Sequence, residues 1–310
     1  MAAVLTYTLK QLRYVEAAGR MGSISRAATE LAISQSSITA AIDALEAALG
    51  YALFLRTPAK GIRPTSHGAE ALALIRRFHQ NARHLEADLQ SVTGIATGTL
   101  RIACYATAAP AFLPTILRSV TERLPSISIT VLEGSMSRIM NNLNDGDADL
   151  AFTYQNYIDQ RHRFDPLFDA PPYAIVPRDD PIAAAESTTL AELAQRPMVM
   201  LDLPFAREYY RDLFEKEGLA LNIAHSTRSS EILRALVSGG FGVSLLNILP
   251  LDYREGESGY RIIRIRDVGS APTFGIVTMA AADQPKIVQA FIANCIELRE
   301  KGAFDALIVT

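Results

Sequence analysis

The sequence has little cysteine, no large charge excess of either sign and no long apolar run. Cys104 and Cys295 are its only two cysteines in 310 residues, too few and too far apart to staple a small secreted fold. A reducing compartment is therefore expected. No low-complexity tract interrupts a composition that is 49% hydrophobic and 20% charged, which excludes a disordered tail protein and a collagen. Met1 to Leu5 carry neither a basic segment nor a long apolar run, so no targeting segment is expected. The most apolar late stretch, Leu236 to Leu251, is broken by Ser238, Gly239, Gly240 and Asn247. It falls short of the roughly 20 residues a membrane span needs. The expectation is a cytoplasmic protein with no membrane contact. A net charge of −3 argues, at face value, against a partner as acidic as nucleic acid.

Patterns that carry catalysis are missing too. There is no Gly-x-Ser-x-Gly elbow, and Gly240-Phe241-Gly242 lacks the strand–turn–helix context of a nucleotide fingerprint. The five histidines (67, 79, 84, 162, 225) show no zinc-ligand spacing with cysteine or acid partners. His79 and His84 are five apart and do not share a helix face. Cys104 falls in a predicted core strand and Cys295 on the last helix, which favours buried, inert thiols over a redox pair. No enzyme, metal site or cofactor is expected.

What is present begins with a helical head. Thr8-Leu9-Lys10-Gln11 fits a capping box, predicting a helix to about Gly19. A second starts near Ser23, with Ile24, Ala27, Ala28 and Leu31 on one face. Ser34 can cap a third, whose Ile38, Ala41, Ile42, Leu45 and Leu49 share a face and which Gly50 stops. Two short amphipathic helices across so tight a turn read as a helix-turn-helix. Leu53–Arg56, a turn over Thr57–Gly61 and Ile62-Arg63 add a basic two-stranded wing.

From Ser66 a proline-free helix is predicted to about Thr93. Its Ala71, Ile75, Phe78, Ala82, Leu85, Leu89 and Val92 follow a heptad-like seam. Packing on its own domain would explain part of that seam; a dimerising linker explains all of it, since the seam outlasts the small head. Gly94 and Gly98 bracket a hinge. Beyond it, short apolar runs (Leu100–Tyr105, Ile127–Glu133, Leu150–Tyr154, Tyr173–Pro177, Met198–Leu201, Gly242–Leu246, Tyr260–Ile265, Phe274–Ala280) alternate with helical stretches. That alternation predicts an α/β body with a mostly parallel sheet, long enough for two lobes with a cleft between them.

Several motifs are more specific. Ser23-Ile24-Ser25-Arg26-Ala27-Ala28, Ser34-Gln35-Ser36-Ser37-Ile38-Thr39, Leu45-Glu46, Leu49-Gly50, Leu53-Phe54, Arg56-Thr57 and Pro64-Thr65-Ser66-His67-Gly68 closely resemble the LysR-type transcriptional regulators. Leu113-Pro114, Glu133-Gly134, Leu143 with Gly146, Asp149-Leu150, Val176-Pro177, Asp180-Pro181 and Gly240-Phe241-Gly242-Val243 extend the resemblance through the body. It implies an α/β protein with an N-terminal winged helix-turn-helix, a long linker helix and a two-lobed, periplasmic-binding-protein-like effector domain. The corresponding segments are 1–65 for the head, 66–97 for the linker helix and hinge, and 98–310 for the effector domain. Lobe I would take about 98–170 and 272–310, and lobe II about 171–271. The implied partners are double-stranded DNA with an inverted-repeat operator, a small-molecule effector, and further copies of the chain in a homodimer or homotetramer. A solute-binding protein without a transcriptional role is the alternative that the body alone permits.

Base reading needs a helix whose first residues project into the major groove. Gln35, Ser36, Ser37 and Thr39 stand there; Gln35 can pair an adenine edge, while Ser36 and Thr39 can reach bases or phosphates. Ser34 is either a further reader or simply the cap. Arg26, Arg56, Lys60 and Arg63 are the natural phosphate contacts. Family members often carry an arginine or a long polar residue where this chain has Ala40-Ala41, which implies fewer base contacts and more reliance on the wing and on dimer avidity.

Ligands of open α/β sheets bind beyond the carboxyl ends of strands. Thr107 and Ala108 follow the first body strand, and the resemblance places an effector on the Thr107 hydroxyl and neighbouring amides. Ser135 matches a second pocket position. Asp202, Leu203 and Phe205, with Ser229 at a helix start, form the candidate opposite wall, and Tyr154 ends its strand nearby. Asp202 would repel a carboxylate, leaving an uncharged or amine-bearing ligand open.

The charge balance is uneven along the chain. Lys10, Arg13, Arg20, Arg26, Arg56, Lys60 and Arg63 against Glu16, Glu30, Asp43 and Glu46 give residues 1–65 a charge of +3, within a chain whose total is −3. A mildly basic head is thus masked by an acidic body.

Overall fold

The computed structural model describes residues 6–57, 61–93, 96–254, 256–280 and 284–309. The chain folds as two compact units, Met1–Leu89 with Asn144–Asp147, and Gln90–Leu143 with Ala148–Thr310. In the first, Thr8 caps α1 (Leu9–Met21): its hydroxyl accepts from the Gln11 amide and the Gln11 side chain accepts from the Thr8 amide. Helix α2 (Ile24–Glu30) starts at Ser23, and α3 (Gln35–Leu49) starts at Ser34 and stops at Gly50, which takes the left-handed φ of 78° that favours glycine. The periodic apolar residues converge: Val15, Ala18, Ala27, Ile38, Ile42 and Leu45 are all buried in one core.

Strands β1 (Phe54–Thr57) and β2 (Gly61–Pro64) pair antiparallel as the wing. The Glu46 carboxylate anchors its base, accepting from the amides of Leu53 (2.6 Å) and Phe54 (3.1 Å). Thr65 then caps α4 (Ser66–Gln90), accepting from the Gly68 amide at 2.8 Å. Gly68 itself is required by packing, because a β-carbon there would run into the Leu53 carbonyl oxygen. A 3₁₀ turn (Ser91–Thr93) comes after α4; Gly94, one end of the expected hinge, lies outside the described residues.

The second unit is built on two larger sheets. In chain order its first elements are β3 (Gly98–Tyr105), α5 (Ala109–Arg123), β4 (Ile127–Gly134), α6 (Met136–Asn144), β5 (Leu150–Tyr154) and β6 (His162–Asp169). The chain then crosses to β7 (Tyr173–Pro177), β8 (Ser187–Thr188), α7 (Leu190–Ala194), β9 (Met198–Leu201), α8 (Pro204–Lys216), β10 (Ile223–Thr227), α9 (Ser230–Ser238), β11 (Ser244–Leu246) and β12 (Tyr260–Ile265). It returns through β13 (Thr273–Met279) and ends in α10 (Lys286–Glu300). The five-stranded sheet has the order β4-β3-β5-β13-β6 and the four-stranded one β11-β7-β12-β8, while β9 and β10 form a parallel pair.

The expectation of a mostly parallel sheet is corrected by this topology. Among the described residues, only β3–β4 and β3–β5 run parallel in the larger sheet; the returning β13 is antiparallel to both neighbours. In the smaller sheet only β12–β8 is parallel. The reason is the double crossover: a strand that comes back from another lobe need not obey the βαβ rule that makes consecutive strands parallel. The crossovers lie side by side, with the Ala170 amide donating to the Pro272 carbonyl at 3.0 Å. Aromatic packing fills the larger sheet's core, with Phe112 4.8 Å from Phe152 and 5.2 Å from Phe274.

Candidate functional site

The head presents α3 by its N-terminus. Gln35, Ser36 and Ala40 are exposed, Ser37 and Thr39 are half-buried, and Ala41 belongs to the core. Ser34 acts as the cap: its hydroxyl accepts from the Ser37 amide (3.2 Å) and lies 2.8 Å from the hydroxyls of both Ser36 and Ser37. Of the phosphate candidates, Arg63 is exposed and Arg26 is exposed but donates to the Met21 carbonyl. Arg56 is ion-paired with Asp43, so part of its charge is spent within the head. Lys60 lies outside the described residues. Arg20 is likewise engaged, bridging Glu16 on its own helix (3.3 Å) and Glu30 on α2, and the pairing holds the Glu30 carboxyl below its usual range.

In the second unit a cavity opens between the two sheets, with about 620 Å³ of empty space counted out to its mouth. One wall is formed at the ends of β3 and β5 and in the segments just beyond them: Tyr105, Thr107, Ala108, Tyr154, Asn156 and Tyr157. The other comes from Leu201 at the end of β9, from Phe205, Ala206, Tyr209 and Tyr210 on α8, and from Leu246–Ile248 at the end of β11 and beyond. Among the proposed effector contacts, Thr107, Ala108, Tyr154 and Phe205 meet on this cavity. Ser135, Asp202, Leu203 and Ser229 do not line it. Ser135 caps α6, accepting from the Arg138 amide at 3.4 Å, and it is the next residue, Met136, that reaches the cavity. Asp202 turns to Arg207 at 2.7 Å, and Leu203 is buried. Ser229 caps α9 and lines a second recess with Arg228, Arg234, Glu133 and Asp252. Thr107 and Ile248 border both recesses.

The residues that sequence reasoning missed are mostly tyrosines. Tyr157 packs edge-on against Phe205 (4.0 Å between centroids), and Tyr105 against Tyr154 (6.5 Å). Tyr210 donates to Asn247 Oδ1 at 2.7 Å, and Asn247 Nδ2 donates to the Ala170 carbonyl at 2.7 Å, tying α8 to the crossover. Burial raises the pKa of every phenol on the cavity wall, pushing that of Tyr209 up to about 12. All of them are neutral hydroxyls at physiological pH. A helical pair such as Tyr209-Tyr210 gives no sign in sequence of which cleft it faces.

Neither cysteine is reactive by this geometry. Both are fully buried, and burial pushes Cys104 up to about 12 and Cys295 higher still. Among the described residues no group of His, Cys, Asp and Glu could hold a metal ion, and no helix is long and apolar enough to cross a membrane.

A winged helix-turn-helix head joined to a two-lobed body with an interlobe cavity defines the class of one-component regulators. Residues 9–69 match the model of the bacterial regulatory helix-turn-helix protein, lysR family, and residues 93–299 match the LysR substrate binding domain. The chain belongs to the LysR family of transcriptional regulators, DNA-binding regulators rather than enzymes. It is 28% identical to the HTH-type transcriptional regulator CysB of Burkholderia cenocepacia over 94% of this chain and 92% of that protein. The crystal structure of HinK, a LysR family transcriptional regulator from Pseudomonas aeruginosa, is similar with a TM-score of 0.61 and 29% identity over 95% of this chain and 98% of that one. The fold is shared with full-length CbnR complexed with its target DNA, at a TM-score of 0.68 and 21% identity over 94% of this chain and 99% of that one.

Proposed function

We propose that this regulator is controlled by a small molecule held in the interlobe cavity, and that it reads an inverted-repeat operator through Gln35, Ser36, Ser37 and Thr39 with Arg26, Arg56, Lys60 and Arg63 on phosphates. The observation that carries the effector reading is the cavity itself. Residues of both sheets wall it, and the hydrogen-bonded Tyr210–Asn247–Ala170 chain at its edge links one wall to the crossover. A ligand that touches both walls favours one arrangement of the lobes over another, which is the differential contact a switch requires. Head, linker helix and effector domain are assigned to 1–65, 66–97 and 98–310, and the protein works in the cytoplasm, where its DNA is.

Helix α4 supplies the surface for assembly. Its first seam residues, Ala71 and Ile75, are buried in the head core, whereas Phe78, Leu85 and Leu89 are exposed. A homodimer through that exposed stripe, paired further into a tetramer, supplies the avidity that a head of modest charge needs.

The experiment is a gel shift with DNA from upstream of the protein's own gene, against unrelated DNA of equal length. The parent chain should bind the former more tightly. Arg56→Ala with Arg63→Ala should weaken binding to both DNAs; unchanged binding would remove the wing from the interface. A chain that shifts neither DNA, yet binds a small solute, would favour the solute-binding alternative.

A further inference from the structure

We infer that the interlobe cavity selects an uncharged, flat, largely apolar molecule bearing one hydrogen-bond-accepting oxygen, and that the Tyr209 hydroxyl is the group that recognises that oxygen. The inference rests on reading the cavity as the effector site and adds the chemical class of the effector and a specificity residue.

Three observations carry it. First, among the described residues no acid, no arginine or lysine and no histidine lies on the cavity wall. A carboxylate or an ammonium buried there would lose its hydration with no counter-charge to replace it. Glu208, on α8 beside Tyr209 and near enough to act on the Tyr157 phenol, is exposed and off the wall. Asp202 is off the wall and paired with Arg207, and Arg228 and Arg234 line the second recess, where Glu133, Glu231 and Asp252 also stand. Second, the wall is aromatic. The ring pairs Tyr157–Phe205 and Tyr105–Tyr154 stand at 66° and 67°, and Tyr209 and Tyr210 lie 5.3 Å apart on the facing helix. Rings set edge-to-face in this way offer both edges and faces to a flat guest.

Third, the Tyr209 hydroxyl oxygen is buried and makes no hydrogen bond of acceptable geometry within the described chain. The Asn247 side chain is near enough to hydrogen-bond the phenol and hold back its upward shift, but its carbonyl oxygen already accepts from Tyr210 and has at most its second lone pair left for Tyr209. Its amide donates to Ala170. A buried hydroxyl left unpaired is costly, and such groups in native proteins usually mark a missing partner. Because burial keeps the phenol protonated well above neutral pH, Tyr209 is a donor, and the partner it lacks is an acceptor. An organic cation held by the ring faces is the competing class; it would leave the Tyr209 donor unanswered.

The test uses the full-length chain and four single-ring probes: acetophenone (neutral, with an acceptor), toluene (neutral, without one), benzoate and phenyltrimethylammonium, each measured by thermal shift and calorimetry. Acetophenone should bind most tightly, toluene more weakly, and the two ions least. Tyr209→Phe should weaken acetophenone about tenfold and leave toluene unchanged, a difference that a general packing defect would not produce. Tighter binding of either ion, equal loss of both neutral probes in Tyr209→Phe, or no binding of acetophenone overturns the inference. Ala206→Trp, which fills the cavity from α8, separates this failure from failure of the effector-site reading. If an ion binds and Ala206→Trp abolishes it, the cavity is the site and the chemical class is wrong. If acetophenone binding survives Ala206→Trp, the cavity is not the site at all.

Discussion

His79 lies half-buried on α4, with Nε2 enclosed and without a hydrogen-bond partner among the described residues. Burial lowers its pKa from the usual 6.5; the nearby Arg83 and Arg13 act in the same direction, while Glu16 and the backbone of Leu12 oppose. The folded chain therefore takes up this proton less readily than the unfolded chain. The stabilising contribution is complete above about pH 6.5 and is lost as pH falls towards the lower folded value. Urea unfolding of the parent and His79→Leu at pH ~7 and pH ~5 should show the parent losing more stability on acidification than the variant. Equal losses would place the pH dependence elsewhere, His162 being the other histidine lowered by burial. The serines make a related point. Ser34 and Ser229 are binding candidates by sequence, but each hydroxyl is occupied at a helix start, as local chemistry favours for Ser before an apolar helix.

At the scale of elements, α4 divides along its length. A helix whose period-seven apolar residues are buried at one end and exposed at the other is satisfied by its own domain only in part. Leu85 and Leu89 stand 60% and 64% exposed, adjacent on one face, where isolated burial cannot explain them. Replacing both with aspartate should convert the assembly to a smaller species in sedimentation velocity and weaken DNA binding by at least an order of magnitude. An unchanged sedimentation profile would show that another face of the molecule makes the dimer. Regular elements with continuous apolar runs, such as β5 and β9, were legible in the sequence because they are buried on both sides. Strands β6 and β10 were not. His162, Arg163, Asp165, Pro166 and Asp169 make β6 look like a loop, and it is stable as a strand because it closes the sheet edge against β13. The exposed His225 and Ser226 disguise β10 in the same way.

For the molecule as a whole, the informative quantity is where the charge sits. The head carries +3 within a total of −3, and two of its seven cations, Arg20 and Arg56, are already paired with acids. Few cations per head are left for phosphate, so each should count visibly in the salt dependence of binding. A plot of log affinity against log salt should have a slope of about −0.9 per phosphate neutralised, and Arg63→Ala should reduce its magnitude by about one for each head engaged. A slope unchanged by Arg63→Ala would mean that Arg63 neutralises no phosphate. Binding that ignores salt altogether would contradict phosphate recognition by the head.

By itself the sequence determined what depends on near neighbours. Caps at Thr8, Ser23 and Ser34, the stop at Gly50, the periodic apolar face of each head helix and the family motifs along the body are all written within a few residues of where they act. Only the tertiary structure decided the cavity. Tyr105, Tyr154, Tyr157, Tyr209 and Asn247 come from separate places in the chain, and they meet because the chain leaves one sheet near Ala170 and returns to it at Pro272. That crossing turns β13 antiparallel, encloses the Tyr209 hydroxyl between two lobes and sets Ser135 and Asp202 outside the cavity they were expected to line. Such outcomes depend on contacts across long stretches of sequence, where no local pattern of residue types specifies which side chains will face one another.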